Sequence, residues 1–330
     1  MLTKIPSGVA RASAAVSLFL LCLADLTGAH ARDASTDPPE PSIRFLTRAE
    51  ARTALTEGES RAYYAGLQLG EMRAKTGLPL KDLSLAEARE RVRQAYGERA
   101  PLYARTPWSL IKVAATLEGG LSHTRGDSVI LADALLAQLL RAHAQRAFDG
   151  PSWFWNLLVH EQTHVLERRV PDRFANLFTR VFGFRHVILG PAPPWLLLRN
   201  VVNPDGPVQD WAFPDGEGAA RRWLLPEIQL RELDAPRMPE DFELVATPVQ
   251  ARGGVWQYLD RSAPETTEPL TNFTEFFGKF PIRDELFHPN EIAAGLLAAQ
   301  GSGCGRSEFV ILAALRPPAL QHRRRPIPAS

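Results

Sequence analysis

The chain reads as a mixed α+β protein: a helical layer at the amino-terminal end, a small mixed sheet, one long apolar helix, and an irregular carboxy-terminal half rich in proline and glycine. Three observations carry this. Capping-box spacings occur twice before residue 90, branched apolar residues with partial alternation begin at residue 108, and an oily helical run follows Pro151.

Thr47 with Glu50, and Ser84 with Glu87, have the spacing at which two side chains satisfy backbone donors left open by a first helical turn. Apolar residues then recur at helical spacing from about 51 to 72 and from 85 to 96, so two helices are expected within 47–98. "WSLIKVAATLE" (108–118) suits a strand, which the glycines at 119 and 120 end. "HTRGDSVILA" (123–132) supplies a turn and another short strand, and helical periodicity returns over 132–148 until Asp149, Gly150 and Pro151 stop it. The next helix is expected over 152–169. From 171 to 289 prolines and glycines punctuate the chain, with strands expected at 223–231, 242–248 and 254–259. A last helix is expected over 288–300, with Pro289 at its first position, where a missing N–H does no harm.

The ends carry little periodicity. Lys4 and Arg11 precede the apolar run "SAAVSLFLLCLADL", and Ala29-His30-Ala31 offers a small-x-small cleavage site, so 1–31 reads as an export signal. Asp25 interrupts the run too early for a membrane span, and Leu21 stands where a small residue would precede a lipidated Cys22. "DASTDPPEPS" reads as a flexible leader, placed over 32–46; the folded body is expected over 47–315 and a disordered tail over 316–330. After signal removal Cys304 would be the remaining cysteine, which fits a periplasmic or secreted protein without an internal disulfide or a membrane anchor. The net charge of +1 gives no electrostatic reason to expect nucleic acid.

The chemistry concentrates in "LLVHEQTHVLE" (157–167). Residues four apart share a helix face, so His160 and His164 can aim two imidazoles at one point, which suits zinc. Glu161 sits one residue round the helix, placed to take a proton from a zinc-bound water. The surroundings are apolar, "WFWNLLV" before and "VL" after, and buried histidine and glutamate need partners or a metal.

At this motif the chain resembles the zincin-type zinc metallopeptidases. The resemblance implies a zincin-like core: a sheet before the motif helix whose edge strand holds extended substrate, one zinc per chain, a third ligand from later in the chain, and a peptide or protein substrate. Metzincins are set aside, because Glu167 and Val170 occupy the positions of their glycine and third histidine. The gluzincin subgroup takes a glutamate from a second helix, and "HPNEIAAGLLA" is similar to that element, which makes Glu291 the third ligand by resemblance; Gly295 stands where an acidic residue often follows. His288 is the alternative ligand, and Glu167, a turn beyond His164, reads as a salt-bridge partner. His123 and Arg125, expected at the turn between two strands, either line the cleft or form a solvated turn. Tyr258 is either an oxyanion donor, as in similar enzymes, or a sheet residue. Residues 203–206 (NPDG) read as a turn. The expected function is that of an exported zinc peptidase; the alternative is a non-catalytic periplasmic zinc-binding or scaffolding protein.

The mature protein is expected to begin near Arg32. Amino-terminal sequencing of protein recovered outside the cytoplasm checks this, and an intact Met1 on cytosolic protein would overturn it.

Overall fold

The computed structural model describes residues 43–46, 48–55, 102–103, 106–114, 117–144, 152–206, 210–234, 236–237, 240–259, 267–280 and 288–300. The export signal, most of the amino-terminal helical layer, Cys304 and the tail lie outside these residues.

A first sheet of four strands has the order β1 (Ile43–Phe45), β2 (Trp108–Val113), β4 (Ser128–Ala132), β3 (His123–Arg125). β1, β2 and β4 are mutually parallel, and β3 runs antiparallel at the edge. Alternation explains the sheet's run of apolar residues. Trp108, Leu110, Val129 and Leu131 face the main core, while Ile111, Val113 and Ile130 face a smaller cluster with Ala51 and Leu55. Ala51 belongs to α1 (Arg48–Ala54), the described part of the helical layer. The flexible leader was expected to reach residue 46, and here the structure differs. Ile43 to Phe45 pair with Trp108 to Leu110, and the Leu46 N–H continues the ladder to the Leu110 carbonyl at 2.8 Å. The polar, proline-rich stretch ends before Ile43, and the apolar residues after it find a strand to join. The expected strand 108–118 ends at Val113, because Leu117 folds back into the smaller cluster through a short 3₁₀ turn, Leu117–Gly120.

The β3–β4 hairpin turns through Gly126 and Asp127, with Gly126 at φ 53°, a backbone region that favours glycine. β4 runs into α2 (Asp133–Ala144), and α3 (Ser152–Arg169) follows. Pro171 opens α4 (Pro171–Asn176) after Val170 leaves helical geometry at φ −134°. A wide five-residue turn, Leu177–Val181, then leads to β5 (Arg185–His186) and α5 (Pro194–Arg199).

The carboxy-terminal half is more regular than its composition suggests. β6 (Trp211–Asp215), β7 (Arg222–Leu230), β8 (Phe242–Arg252), β9 (Val255–Tyr258) and β10 (Glu268–Pro269) join β5 in a second, antiparallel sheet. The prolines fall where no ladder bond is needed. Pro226 of β7 lies beyond Leu224, where the pairing with β6 stops; Pro248 of β8 lies between Val245 and Ala246, taken by β10, and Val249, where β9 begins. α6 (Thr274–Lys279) and α7 (Pro289–Gln300) complete the described chain. Among the described residues no helix is long and apolar enough to cross a membrane.

One core joins both sheets. Leu158, Val159, Val165 and Leu166 of α3 and Ile292, Ala293 and Leu297 of α7 meet Trp108 and Leu110 from the first sheet and Phe213, Leu224 and Ala246 from the second. Edge-to-face aromatic pairs extend it: Phe213 and Phe276 at 5.0 Å, and Phe178 and Trp211 at 5.1 Å between centroids. On the other face of the second sheet, Leu225 packs with Val187, Leu196, Ala212, Val249 and Tyr258. Glu227 shares that face. It is buried, its Oε2 accepts from Thr247 Oγ1 at 2.5 Å and its Oε1 from Asn200 Nδ2 at 3.2 Å.

Burial pushes the Glu227 carboxyl up to about 7 against the pull of these donors. The folded chain therefore keeps a proton at Glu227 that the unfolded chain releases near pH 4.5. Stability from this group is full below pH 4.5 and is lost as pH rises to 7, by about 3 kcal/mol. Urea titrations at pH 4.5 and 7.5 should show that fall in the wild type relative to Glu227→Gln, and parallel curves would refute it.

Candidate metal centre

Every residue of α3 from Leu158 to Leu166 is buried, so the motif helix runs through the core rather than over the surface. Its roll is fixed on the side away from the histidines. Thr163 Oγ1 donates to the Val159 carbonyl at 2.8 Å and shares a 2.5 Å hydrogen bond with the Tyr103 hydroxyl, and Gln162 Nε2 donates to the Pro107 carbonyl at 3.3 Å. With the helix so held, the His160 and His164 rings lie 4.9 Å apart and nearly perpendicular.

α7 brings the third group. Packing of Ile292, Ala293 and Leu297 into the core turns the first-turn carboxylate of Glu291 toward the two imidazoles. Glu291 Oε2 lies 3.1 Å from His160 Nε2, Glu291 Oε1 lies 3.5 Å from His164 Nε2, and the two Nε2 atoms are 3.2 Å apart. These three buried residues can hold a metal ion. Burial opposes charge on each, yet the cluster overrides it: Glu291 and Asp205 hold the His164 imidazole well above its usual range, and the two histidines hold the Glu291 carboxyl well below its own.

Glu161 is buried beside the triangle. Burial, with the nearby Asp205 carboxylate, pushes its carboxyl up to about 8 despite the opposing histidines and a hydrogen bond from Ser122. Its Oε2 has no hydrogen-bond partner among the described residues. Glu167 approaches from the next turn, its Oε2 4.0 Å from His164 Nδ1, as a neighbour of the imidazole and not a member of the triangle.

His288 is occupied otherwise. Its Nδ1 donates to Asn290 Oδ1 and its carbonyl accepts from the Ile292 N–H, so it serves the start of α7. His123 and Arg125 are strand residues of β3, not turn residues. His123 is buried with Nδ1 donating to the Leu121 carbonyl, and Arg125 Nη1 donates to the carbonyls of Thr124 and Pro204. These contacts tie β3 to the preceding loop and to the 203–206 turn. Tyr258 belongs to the cluster on the far face of the second sheet, apart from the core that holds the motif helix.

Asn203 and Asp205 stand at the centre although their sequence suggested only a turn. Asn203 Nδ2 donates to Glu291 Oε1 at 2.5 Å, and Asn203 Oδ1 accepts the Asp205 N–H at 2.9 Å. Asp205 Oδ1 accepts both the backbone N–H and the hydroxyl of Thr124, each at 2.6 Å, on edge strand β3. Arg168 closes the arrangement: its guanidinium donates to the Gly126 and Asp205 carbonyls at 3.1 Å each and to Thr124 Oγ1. A short asparagine–aspartate turn is common in proteins, and nothing in four letters distinguishes this one.

No protein-family model, curated protein or solved structure matches the chain.

The turn also packs tightly against α7. A Cβ on Gly206 would lie 2.5 Å from Asn290 Nδ2 and 2.9 Å from its Cγ. Asn290 Oδ1 accepts the Glu291 N–H, so its displacement would loosen the start of α7. Gly206→Ala should lower stability by roughly 1–3 kcal/mol in a urea titration. An unchanged midpoint would show that Asn290 yields freely.

Proposed function

We propose that this chain is an exported zinc-dependent peptidase in which His160, His164 and Glu291 hold one zinc ion and Glu161 is the general base. The observation that carries the reading is the close approach of the ligand atoms. Ligand atoms at zinc bond lengths in a tetrahedron stand about 3.3 Å apart; the two imidazole Nε2 atoms are 3.2 Å apart, with one Glu291 oxygen 3.1 Å from His160 and the other 3.5 Å from His164. A chance histidine pair on a solvated helix has no reason to meet a buried carboxylate at that spacing.

Bound there, zinc would polarise the scissile carbonyl and acidify a water in the remaining position. Glu161 would take a proton from the attacking water as its oxygen adds to the carbonyl carbon, and would pass that proton to the amine nitrogen as the C–N bond breaks. Its buried, unpartnered Oε2 suits this work, since a carboxylate oxygen saturated by donors would be a poor base. β3 fits the edge strand that the zincin resemblance implies, antiparallel at the sheet margin and beside α3. A peptide lying along it finds the Thr124 N–H already held by Asp205. A purely structural zinc site would close with four protein ligands and would have no use for Glu161.

The purified full chain should contain about one zinc per molecule by elemental analysis. His160→Ala and His164→Ala should lose most of it. Glu161→Gln should keep zinc while hydrolysis of a mixed peptide library falls by at least about a hundredfold. Wild-type protein prepared without chelators that neither carries nor takes up zinc would refute the metal assignment. Zinc-loaded wild type that cleaves no peptide would leave the non-catalytic alternative.

A further inference from the structure

We infer that Asn203 is a positioning residue for the metal: it fixes the rotation of the Glu291 carboxylate, and the 203–206 turn exists to hold Asn203 in place. The inference rests on the metal assignment above and concerns a residue on neither ligand helix.

The orientation of the Asn203 amide is settled by its two bonds. Its Oδ1 accepts from the Asp205 backbone, so the opposite side of the group must be the NH₂, and that side meets Glu291 Oε1. Asn203, His160, His164 and Glu291 are all buried, which limits competition from solvent for the carboxylate. Glu291 shares its two oxygens between the two imidazoles, Oε2 toward His160 and Oε1 toward His164. Rotation about the terminal side-chain torsion would exchange or withdraw them, and that torsion is soft. The Asn203 N–H, bonded to Oε1, restrains it.

The turn is in turn anchored on elements other than α7. Asp205 Oδ1 binds Thr124 of β3, the Asp205 carbonyl binds Arg168 at the end of α3, and the Pro204 carbonyl binds Arg125. The restraint on Glu291 is thus referred to the same helix and hairpin that carry and flank His160 and His164. Groups that hold ligands in this way typically change metal affinity by about 10- to 100-fold when removed.

The test uses the full chain with Asn203→Ala and Asn203→Ser. Asn203→Ser is the sharper variant, because its hydroxyl can still accept the Asp205 N–H, as serine does in such turns, while its side chain is too short to reach Glu291. Zinc affinity by competition with a chromophoric chelator should fall about 10- to 100-fold in both variants. The visible spectrum of the Co²⁺-substituted protein should shift, reporting altered ligand geometry. The melting temperature of the Asn203→Ser protein in chelator should stay close to that of the wild type, which separates positioning from folding. Affinity and Co²⁺ spectrum unchanged in both variants would overturn the inference, as would a loss of affinity matched by loss of the metal-free fold in Asn203→Ser. A wild-type chain that binds neither Zn²⁺ nor Co²⁺ would instead remove the metal assignment on which the inference stands.

Discussion

The buried meeting of one carboxylate with two imidazoles is the constraint to which the rest of the structure answers. Glu291 on α7 and the histidines on α3 have little solvent to share their charge with, so each depends on the others. That dependence fixes which faces of the two helices can pack together. Once α3 and α7 are joined in this register, Leu158, Val165, Ile292 and Leu297 necessarily form the apolar floor between the sheets. Misaligning the helices by one residue would place an apolar side chain among charges and a charge in the core, an exchange worth several kcal/mol.

Around this pair lies a layer of polar contacts that only the tertiary structure assembles. Arg168, Thr124, Asp205 and Asn203 form a continuous path from the end of α3, across edge strand β3, to the carboxylate of α7. The regular elements set the histidines within reach of the glutamate, and the irregular turn refines the contact. This division is common where loops on a rigid scaffold carry chemistry.

How much of this the amino-acid sequence disclosed follows from the range of the forces involved. β4 and α3 were legible because alternation and helical spacing act within a few residues, whereas β3 occupies residues that the sequence suggested as the turn. α7 was legible from Pro289, while Glu291 came by resemblance to gluzincins. In the second sheet β7, β8 and β9 were legible, but β5, β6 and β10 were not, and the sheet as a whole was obscured, since Pro226 and Pro248 look like breakers until their partners are known to end beside them. β1 was hidden because Ile43 to Phe45 follow a leader-like composition and form a strand only against Trp108 to Leu110. His123, Arg125 and Tyr258 carry chemically versatile side chains, and whether they face a cleft or a core is decided by packing that no local pattern encodes. Asn203 and Asp205 show the converse, ordinary turn residues placed at the centre by contacts some eighty residues away in either direction.

His160 and Glu291 are separated by 131 positions along the chain. In an unfolded chain, bringing two such points together costs about 4–5 kcal/mol of loop-closure entropy. The folded core has already met that cost before any ion arrives. A cation gripping both residues would thus act as a reversible cross-link, stapling the first sheet's helix to the helix that follows the second sheet. Depletion of the cation would loosen the molecule along that seam first, so that metal supply and resistance to unfolding become one and the same variable.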